Sequence, residues 1–352
     1  MSKKVAVAMS GGIDSAVAAL LVKNAGYEAI GATMLLCKKI LPDGTDATEA
    51  DIRDAKAICD KLEIEHRVYD LSNDFKKTVI NDFTSTYMMG ATPNPCIVCN
   101  KALKFGRLLD LELENGSDLI ATGHYAHIEK RDDGRFILKK AADTKKDQTY
   151  MLWSLSQHQL SHTLFPLGDL QKTEIREIGS QNGFVNAHKS DSQDICFIPD
   201  GDYASFIEKE LGIKFPEGNY IDENGSLLGK HKGMIHYTIG QRKGLGISMN
   251  KHVFVIKKDA ESNTVTLADE DKLFTDTVII KNINLIPFDT FDGELEVEAK
   301  IRYSQSQCKA IAMISGDDEI TIKFSNPQRA PAKGQSAVMY IDDTVVGGGI
   351  IQ

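Results

Sequence analysis

The stretch Val5-Ala6-Val7-Ala8-Met9-Ser10-Gly11-Gly12-Ile13-Asp14-Ser15 decides the fold. Its first five residues form a short apolar run of the length expected for a buried strand. Two glycines then let the backbone turn tightly and approach a ligand, and an apolar helix over 14–25, ended by Gly26, follows at once. A strand that runs through a glycine turn into a helix presents free N–H groups and the positive end of the helix dipole, which suits a phosphate. Ser10 and Ser15 add hydroxyl donors. The Lys and spacing of G-x-x-x-x-G-K-[ST] are absent, which disfavours a Walker-type kinase or GTPase. A plainer reading stays open at this point: Gly-Gly only makes the turn, and Asp14 or Ser15 caps the helix.

Outward from this loop, apolar β-branched runs alternate with helical stretches. Strands are expected over 29–36, 66–71 and 118–122, and helices over 50–62 and 100–114. That alternation predicts βαβ units, a doubly wound parallel sheet of α/β class, and functional loops at the carboxyl ends of the strands. Residues 148–212 read as mostly helical, with a last helix over 202–211. Beyond about residue 215, Gly, Asn and Asp punctuate short β-rich runs over 253–257, 264–268, 278–280, 296–302, 320–324 and 337–341. The expected division is an α/β domain over 1–212, a central β-rich domain over 213–280 and a C-terminal β-barrel over 281–352.

With 352 residues and 42% hydrophobic content, two or three domains with real cores are expected, and a disordered chain is excluded. The N-terminal apolar run is far too short for a membrane span of about 20 residues, so a soluble, cytoplasmic protein without membrane attachment is expected. Forty-one Lys plus Arg against 50 Asp plus Glu leave a net charge of −9, which argues against indiscriminate coating of nucleic acid. The charge is uneven. Residues 224–258 hold seven basic residues (Lys230, Lys232, Arg242, Lys243, Lys251, Lys257 and Lys258) and no acid, whereas 259–298 hold eleven acids and only Lys272 and Lys281. His236, Tyr237 and Gln241 lie among those lysines, a mixture suited to RNA phosphates and stacking.

Six cysteines are too few for a disulfide scaffold of this length. Cys96 and Cys99 form a C-x-x-C in Thr92-Pro93-Asn94-Pro95-Cys96-Ile97-Val98-Cys99-Asn100. The prolines predict an extended segment before a helix starting near Asn100. Cys99 would then lie near a helix N-terminus beside Lys101 and Lys104, conditions that lower a thiol pKa. Cys196 sits in Asp194-Ile195-Cys196-Phe197-Ile198, among apolar neighbours. Taken alone, the C-x-x-C is half a zinc site, a redox pair or two unrelated thiols, and zinc recedes because neither a second C-x-x-C nor an H-x-x-x-H pair is recognised to complete it. Cys37, Cys59 and Cys308 match no motif and read as packing residues.

The Ser-Gly-Gly-x-Asp-Ser loop resembles that of the N-type ATP pyrophosphatases, which adenylate an oxygen and release pyrophosphate. That loop, Thr-Pro-Asn-Pro-x-x-x-Cys-Asn-Lys, Ala121-Thr122-Gly123-His124-Tyr125, Lys146-Asp147-Gln148-Thr149-Tyr150, Asp-x-Cys-Phe-Ile, Gly240-Gln241-Arg242-Lys243-Gly244-Leu245-Gly246 and Gly347-Gly348-Gly349-Ile350-Ile351 together resemble the tRNA-specific 2-thiouridylases, in the same order from residue 3 to 352. The resemblance implies that ATP adenylates the C2 oxygen of the wobble uridine in tRNA(Lys), tRNA(Glu) and tRNA(Gln). A persulfide sulfur, delivered by a cysteine desulfurase or a relay protein, then displaces AMP. It implies that Cys196 carries the persulfide and that Cys99 releases the sulfur through a transient disulfide. It places Ala8, Met9, Ser10, Gly11, Gly12, Ile13, Asp14, Ser15, Met34 and Gly123 around ATP, with Mg2+ and pyrophosphate at Asp14. Asn94, Pro95 and Cys96 would meet the target base, and His124, Lys146, Asp147, Gln148, Arg302, Tyr303 and Gln335 the tRNA.

One position departs from the family pattern: Cys96 stands where the familiar form has Asp. Cys96, Cys99 and Cys196 offer a second sulfur route, as ligands of an iron-sulfur cluster with one open iron. Two rivals complete the field. A small-acceptor synthetase of the adenylating family needs neither paired thiols nor a basic β domain, and a non-catalytic nucleotide- and RNA-binding module would tolerate loss of either thiol.

Overall fold

The computed structural model describes residues 2–38, 46, 48–184 and 195–352. The expected N-terminal alternation is present as β1 (Lys4–Ala8), α1 (Ile13–Asn24), β2 (Glu28–Leu35), α2 (Thr48–Lys61) and β3 (Glu65–Asp70). Helices α3 (Ser72–Phe75), α4 (Asn81–Met88), α5 (Pro95–Cys99) and α6 (Leu108–Glu114) lead to β4 (Leu119–Ala121). The chain continues through β5 (His127–Lys130), β6 (Phe136–Lys139), α7 (Gln157–Ser161), β7 (Thr163–Leu164), α8 (Lys172–Gln181) and α9 (Tyr203–Leu211).

Strands order β3-β2-β1-β4-β7, all parallel. The strand order reverses between β1 and β4, so their carboxyl ends open the crevice in which such sheets bind ligands. Alternation along β1 explains the layering. Val5 and Val7 face α1 and α8 in one core, whereas Ala6 faces Phe105, Leu108 and Ile120 in the other.

The second half is β-rich, as its turn residues predict. Strands β8 (Gly218–Ile221), β9 (Leu227–His231), β10 (Phe254–Asp259) and β11 (Thr264–Ala268) form one sheet in the order β10-β11-β8-β9. Strands β12 (Phe274–Leu285), β13 (Glu294–Lys300), β14 (Cys308–Gly316), β15 (Glu319–Arg329), β16 (Ser336–Ile341) and β17 (Thr344–Ile351) follow, and a β12–β17 pairing closes them into a six-stranded antiparallel barrel. Closure removes the sheet edges that would otherwise invite association. The β5–β6 hairpin, which sequence reading did not separate from its surroundings, leaves the first sheet and adds to β17.

The barrel shares a core with the α/β domain: Val338, Tyr340 and Val345 pack with Phe105, Leu138, Tyr150 and Trp153. Asn284 donates its side-chain N–H to the Trp153 and Leu155 carbonyls at 2.7 and 3.1 Å, and Tyr150 donates to the Ser336 carbonyl at 2.8 Å. Gly348 is required there, since a Cβ would stand 2.5 Å from the Ala337 carbonyl oxygen and 3.1 Å from the Trp153 ring.

A buried carboxylate braces the first domain. Glu112, fully enclosed, accepts from Arg67 (2.9 Å), Tyr69 (2.8 Å) and Ser117 (2.8 Å), tying β3 to the end of α6. Removing it deprives the buried Ser117 and the half-buried Arg67 and Tyr69 of their shared acceptor, so Glu112→Ala is expected to cost about 3 kcal/mol in urea unfolding. Substitution with no loss of stability would show that these donors find water instead.

Candidate functional site

The phosphate loop is built as its sequence implies. Gly11 has φ +72°, and a Cβ on it would lie 2.7 Å from the Asp51 carbonyl oxygen, so α2 and the left-handed turn both demand glycine. Gly12 caps α1 without a side-chain hydrogen bond, so neither Asp14 nor Ser15 serves as the cap. Ser15 instead donates its hydroxyl to the Gly12 carbonyl (2.9 Å) and accepts from the Ser10 N–H (3.2 Å). Ile13 is buried, and Ala8, Met9 and Met34 lie at the adjoining ends of β1 and β2. Gly123 follows β4 so closely that a Cβ would stand 2.8 Å from the Asp14 carbonyl carbon and 2.9 Å from the Ser15 nitrogen.

Two residues that sequence reading missed hold Asp14. Lys172, buried at the start of α8, donates to both carboxylate oxygens at 2.8 and 2.9 Å, and Tyr125 donates its hydroxyl at 2.8 Å. No spacing rule links positions 14, 125 and 172; the only hint was Tyr125 within the Ala-Thr-Gly-His-Tyr motif.

The cysteine segment differs from expectation in one respect. Its helix begins at Pro95, not near Asn100, because proline needs no N–H partner at the first helical position. Cys99 therefore ends the first helical stretch rather than opening one. The helix continues through a π-helical segment over Asn100–Arg107 into α6. In this wide stretch Gln159 donates to the Lys101 carbonyl at 2.8 Å, and a Cβ on Gly106 would lie 2.9 Å from that same oxygen.

Thiol electrostatics follow. Burial pushes the Cys99 thiol up, and the opposing pull of Lys104 does not overcome burial and the neighbouring Cys96 and Cys37. The expected low-pKa thiolate is thus corrected: without the dipole of a helix N-terminus, desolvation wins. Cys96, on the same helical turn, is likewise raised by burial of its sulfur although the residue keeps an exposed surface. Cys196 also has an exposed surface, yet desolvation and its neighbours Cys37, Cys99 and Cys96 push it up to about 12. Asp194 of its motif lies outside the described residues.

Among the described residues no three or more Cys, His, Asp or Glu side chains converge as a metal ion requires, so Cys96, Cys99 and Cys196 do not fit a cluster in this arrangement. An H-x-x-x-H pair, contrary to the sequence expectation, does exist: His158 and His162 have ring centroids 4.5 Å apart on and just after α7, but among the described residues no third ligand joins them. Cys59 is a packing residue, fully buried, with its sulfur where a Cβ on Gly31 would fall.

The remaining expected contacts are distributed as follows. Asn94 precedes Pro95 at the mouth of α5. Gln335 donates to the Thr92 and Pro93 carbonyls at 3.1 and 2.9 Å, clamping that segment from the barrel. Gln148 accepts from the Tyr125 N–H at 3.0 Å, and Asp147 accepts from the Ala141 N–H and the Thr149 hydroxyl. Lys146, half-buried, lies just before them. His124 bonds Thr122 at 2.7 Å between the Phe105 and Phe165 rings; burial and Lys104 hold its pKa well below the usual value, so it is neutral. Arg302 donates to the Ala330 carbonyl, and Tyr303 is exposed 6.0 Å from the Tyr150 ring.

The acid-free segment is partly consumed by structure. Lys251 pairs with Asp269 at 2.6 Å. Lys258 is enclosed over the Tyr87 ring, and burial pulls its pKa down to about 8. Tyr237 is a core residue beside Tyr220, which corrects its reading as a stacking platform: its ring is needed to fill the small β domain. Gln241 organises its own loop through the Thr238 N–H and the Lys243 carbonyl. Lys230, Lys232, Arg242 and Lys243 stay exposed and pair with no carboxylate among the described residues.

A glycine-serine loop of phosphate-binding form at the switch point of a parallel sheet, backed by β domains, is the architecture of a nucleotide-handling α/β enzyme. Three family profiles match in order: "tRNA methyl transferase HUP domain" over 3–200, "tRNA methyl transferase PRC-barrel domain" over 204–269 and "Aminomethyltransferase beta-barrel domain" over 275–351. The chain is 48% identical over 356 residues to tRNA-specific 2-thiouridylase MnmA 1 of Clostridium botulinum (strain Loch Maree / Type A3), covering 100% of each. It is 46% identical over 358 residues to tRNA-specific 2-thiouridylase MnmA of Treponema denticola, covering 99% of this chain and 98% of that one. Among solved structures, the U34-tRNA thiolase NcsA from Methanococcus maripaludis with its [4Fe-4S] cluster aligns at 19% identity, over 59% of this chain and 67% of that chain, with a TM-score of 0.37. That likeness is too remote to bear on the site. The chain belongs to the tRNA-specific 2-thiouridylase family. No described helix is long and apolar enough to cross a membrane.

Raised thiol pKa values have a measurable consequence. Cys96, Cys99 and Cys196 are protonated at neutral pH, so their alkylation by iodoacetamide is expected to rise about tenfold per pH unit between pH 7 and 9, the range below the raised values. Peptide mass spectrometry reads each site, and a rate already flat at pH 7 would contradict the burial argument.

Proposed function

We propose that the chain is an ATP-dependent tRNA sulfurtransferase that converts the wobble uridine of tRNA(Lys), tRNA(Glu) and tRNA(Gln) to 2-thiouridine. One observation supports this reading: the glycine loop follows β1, and the segments bearing Cys99 and Cys196 pack with Leu36 and Cys37 at the end of the neighbouring β2. The profile names mention methyl transfer and the relatives' names thiolation; paired thiols beside a phosphate loop favour the latter. The division 1–212, 213–280 and 281–352 then assigns chemistry to the first part and tRNA grip to the other two.

The chemistry follows from leaving groups. A uracil carbonyl oxygen leaves poorly, so its O2 attacks the α-phosphate of ATP and pyrophosphate departs. The N–H groups of the glycine loop and the start of α1 receive the phosphates. Asp14 is the carboxylate that would hold magnesium, which adds charge neutralisation to the departing pyrophosphate. The terminal sulfur of a Cys196 persulfide, supplied by a cysteine desulfurase or a relay protein, attacks C2 and AMP leaves. The Cys99 thiolate then attacks the Cys196 sulfur, the S–S bond to the new thiocarbonyl breaks, and a Cys99–Cys196 disulfide remains. A high thiol pKa suits this order, since the resting thiols stay protonated while the persulfide, a more acidic group, ionises first. Asn94, Pro95 and Cys96 frame the base, with Cys96 contributing shape rather than a carboxylate's charge.

A direct test combines protein, ATP, unmodified tRNA(Glu) transcript and sulfur loaded by a cysteine desulfurase. Wild type is expected to form 2-thiouridine, Cys196→Ser none, and Cys99→Ser at least about 100-fold less. Serine variants that keep wild-type activity would refute the reading.

The exposed cations predict a salt effect. Replacing Lys230, Lys232 and Arg242 by Ala is expected to flatten the slope of log K against log salt for tRNA binding by about 2–3, near 0.7–0.9 per phosphate contact. An unchanged slope would remove this face from the tRNA interface.

A further inference from the structure

Cys37 matched no motif, and its sequence reading was packing. It stands two residues beyond β2, at the ligand-facing edge of the parallel sheet. There Leu36, Cys37, Val98, Cys99 and Phe197 pack against one core made of Phe75, Val79, Ile80 and Leu103. Phe197, the residue after Cys196, sets its ring 5.5 Å from Phe75 and 5.2 Å from Phe83. Three separate segments, bearing Cys37, Cys99 and Cys196, therefore share one apolar floor.

Electrostatics agree with that placement. After desolvation, the thiols that raise Cys196 act in the order Cys37, Cys99 and Cys96, and Cys37 also raises Cys99. Such mutual influence falls off with distance and accords with the apolar floor that the segments share. Cys99 and Cys37 are both half-buried, whereas Cys196 has an exposed surface open to a sulfur donor.

The proposed reaction creates a difficulty that this arrangement answers. Each turnover ends with Cys196 tied to Cys99, and Cys196 cannot accept new sulfur until that bond opens. We propose that Cys37 is the resolving thiol of the site, opening the Cys99–Cys196 disulfide by exchange to leave a Cys37–Cys99 disulfide and a free Cys196. The proposal rests on the thiol-pair reading given above. In the step, the Cys37 thiolate attacks the Cys99 sulfur, the Cys99–Cys196 bond breaks, and its electron pair leaves on Cys196, which takes up the proton that Cys37 lost. No net oxidation occurs. The two electrons that later regenerate Cys37 and Cys99 come from an external dithiol reductant, one equivalent per turnover.

The test uses the full chain loaded with sulfur by a cysteine desulfurase, with ATP and tRNA(Glu) transcript and no reductant. The reaction is quenched with N-ethylmaleimide after one turnover, and disulfides are mapped by mass spectrometry. Wild type is expected to yield about one equivalent of 2-thiouridine and a Cys37–Cys99 link. Cys37→Ser, and independently Cys37→Ala, should give the same first-turnover burst, stop at Cys99–Cys196, and turn over at least fivefold more slowly with limiting dithiothreitol. A wild-type map in which Cys37 is alkylated, or is linked to Cys196, overturns the proposal, as does an unchanged steady-state rate in a variant that keeps its burst. Absence of 2-thiouridine from wild type in the first turnover would instead strike the parent reading, so the two failures are distinguishable.

Discussion

The contact between Lys172 and Asp14 organises the nucleotide side of this molecule. An ammonium almost removed from water meets both oxygens of a carboxylate in the first turn of α1, and the Tyr125 hydroxyl bonds the same group. Desolvating such a pair is costly and is offset only when the geometry is close and the remaining valences are filled, as they are here. In return α8, α1 and the loop after β4 are fastened together around the phosphate loop, and Gly123 can approach Asp14 and Ser15 with no room for a side chain. The N–H groups at the start of α1 thus stand beside a carboxylate that is paired with an ammonium.

A second constraint joins the chemistry to the barrel. Gln335 and the Lys333 carbonyl grip the Thr92-Pro93 backbone, and Gly334 at φ +90° brings the barrel loop so close that a Cβ would stand 2.9 Å from the Thr92 carbonyl oxygen. The segment that leads into Cys96 and Cys99 is thus positioned by residues more than two hundred places later in the chain. With Tyr340 and Val345 packed beside Tyr150 and Trp153, the C-terminal barrel completes the first domain's core as well as offering a surface of its own.

Most of the architecture was legible from pattern. Apolar run, glycine turn and helix at 5–25 are local signals, and the parallel sheet follows from their repetition. The phosphate loop and the two motif cysteines were legible for the same reason: spacing carries them. The helix start at Pro95 was not, because proline reads as a breaker unless it occupies the first helical position. Neither was the thiol ionisation at Cys99, where a nearby lysine suggested one direction and burial imposed the other. Tyr237 and Lys258 looked like RNA-facing groups by composition, yet one fills a core and the other is enclosed against Tyr87. Whether a polar or aromatic residue meets solvent depends on what packs over it, and that is not written in its neighbours along the chain.

By itself, then, the sequence determined the class of fold, the glycine turn between the first strand and helix, the C-x-x-C pair and the presence of an acid-free basic stretch, since each depends on residues close together in the chain. Tertiary structure alone decided that Lys172 and Tyr125 hold Asp14, that the β5–β6 hairpin adds to the barrel, that Gln335 clamps the cysteine segment, and that Cys37 joins Cys99 and Cys196. Those associations connect positions separated by tens to hundreds of residues, and they are set by how desolvated groups find partners once the layers have packed.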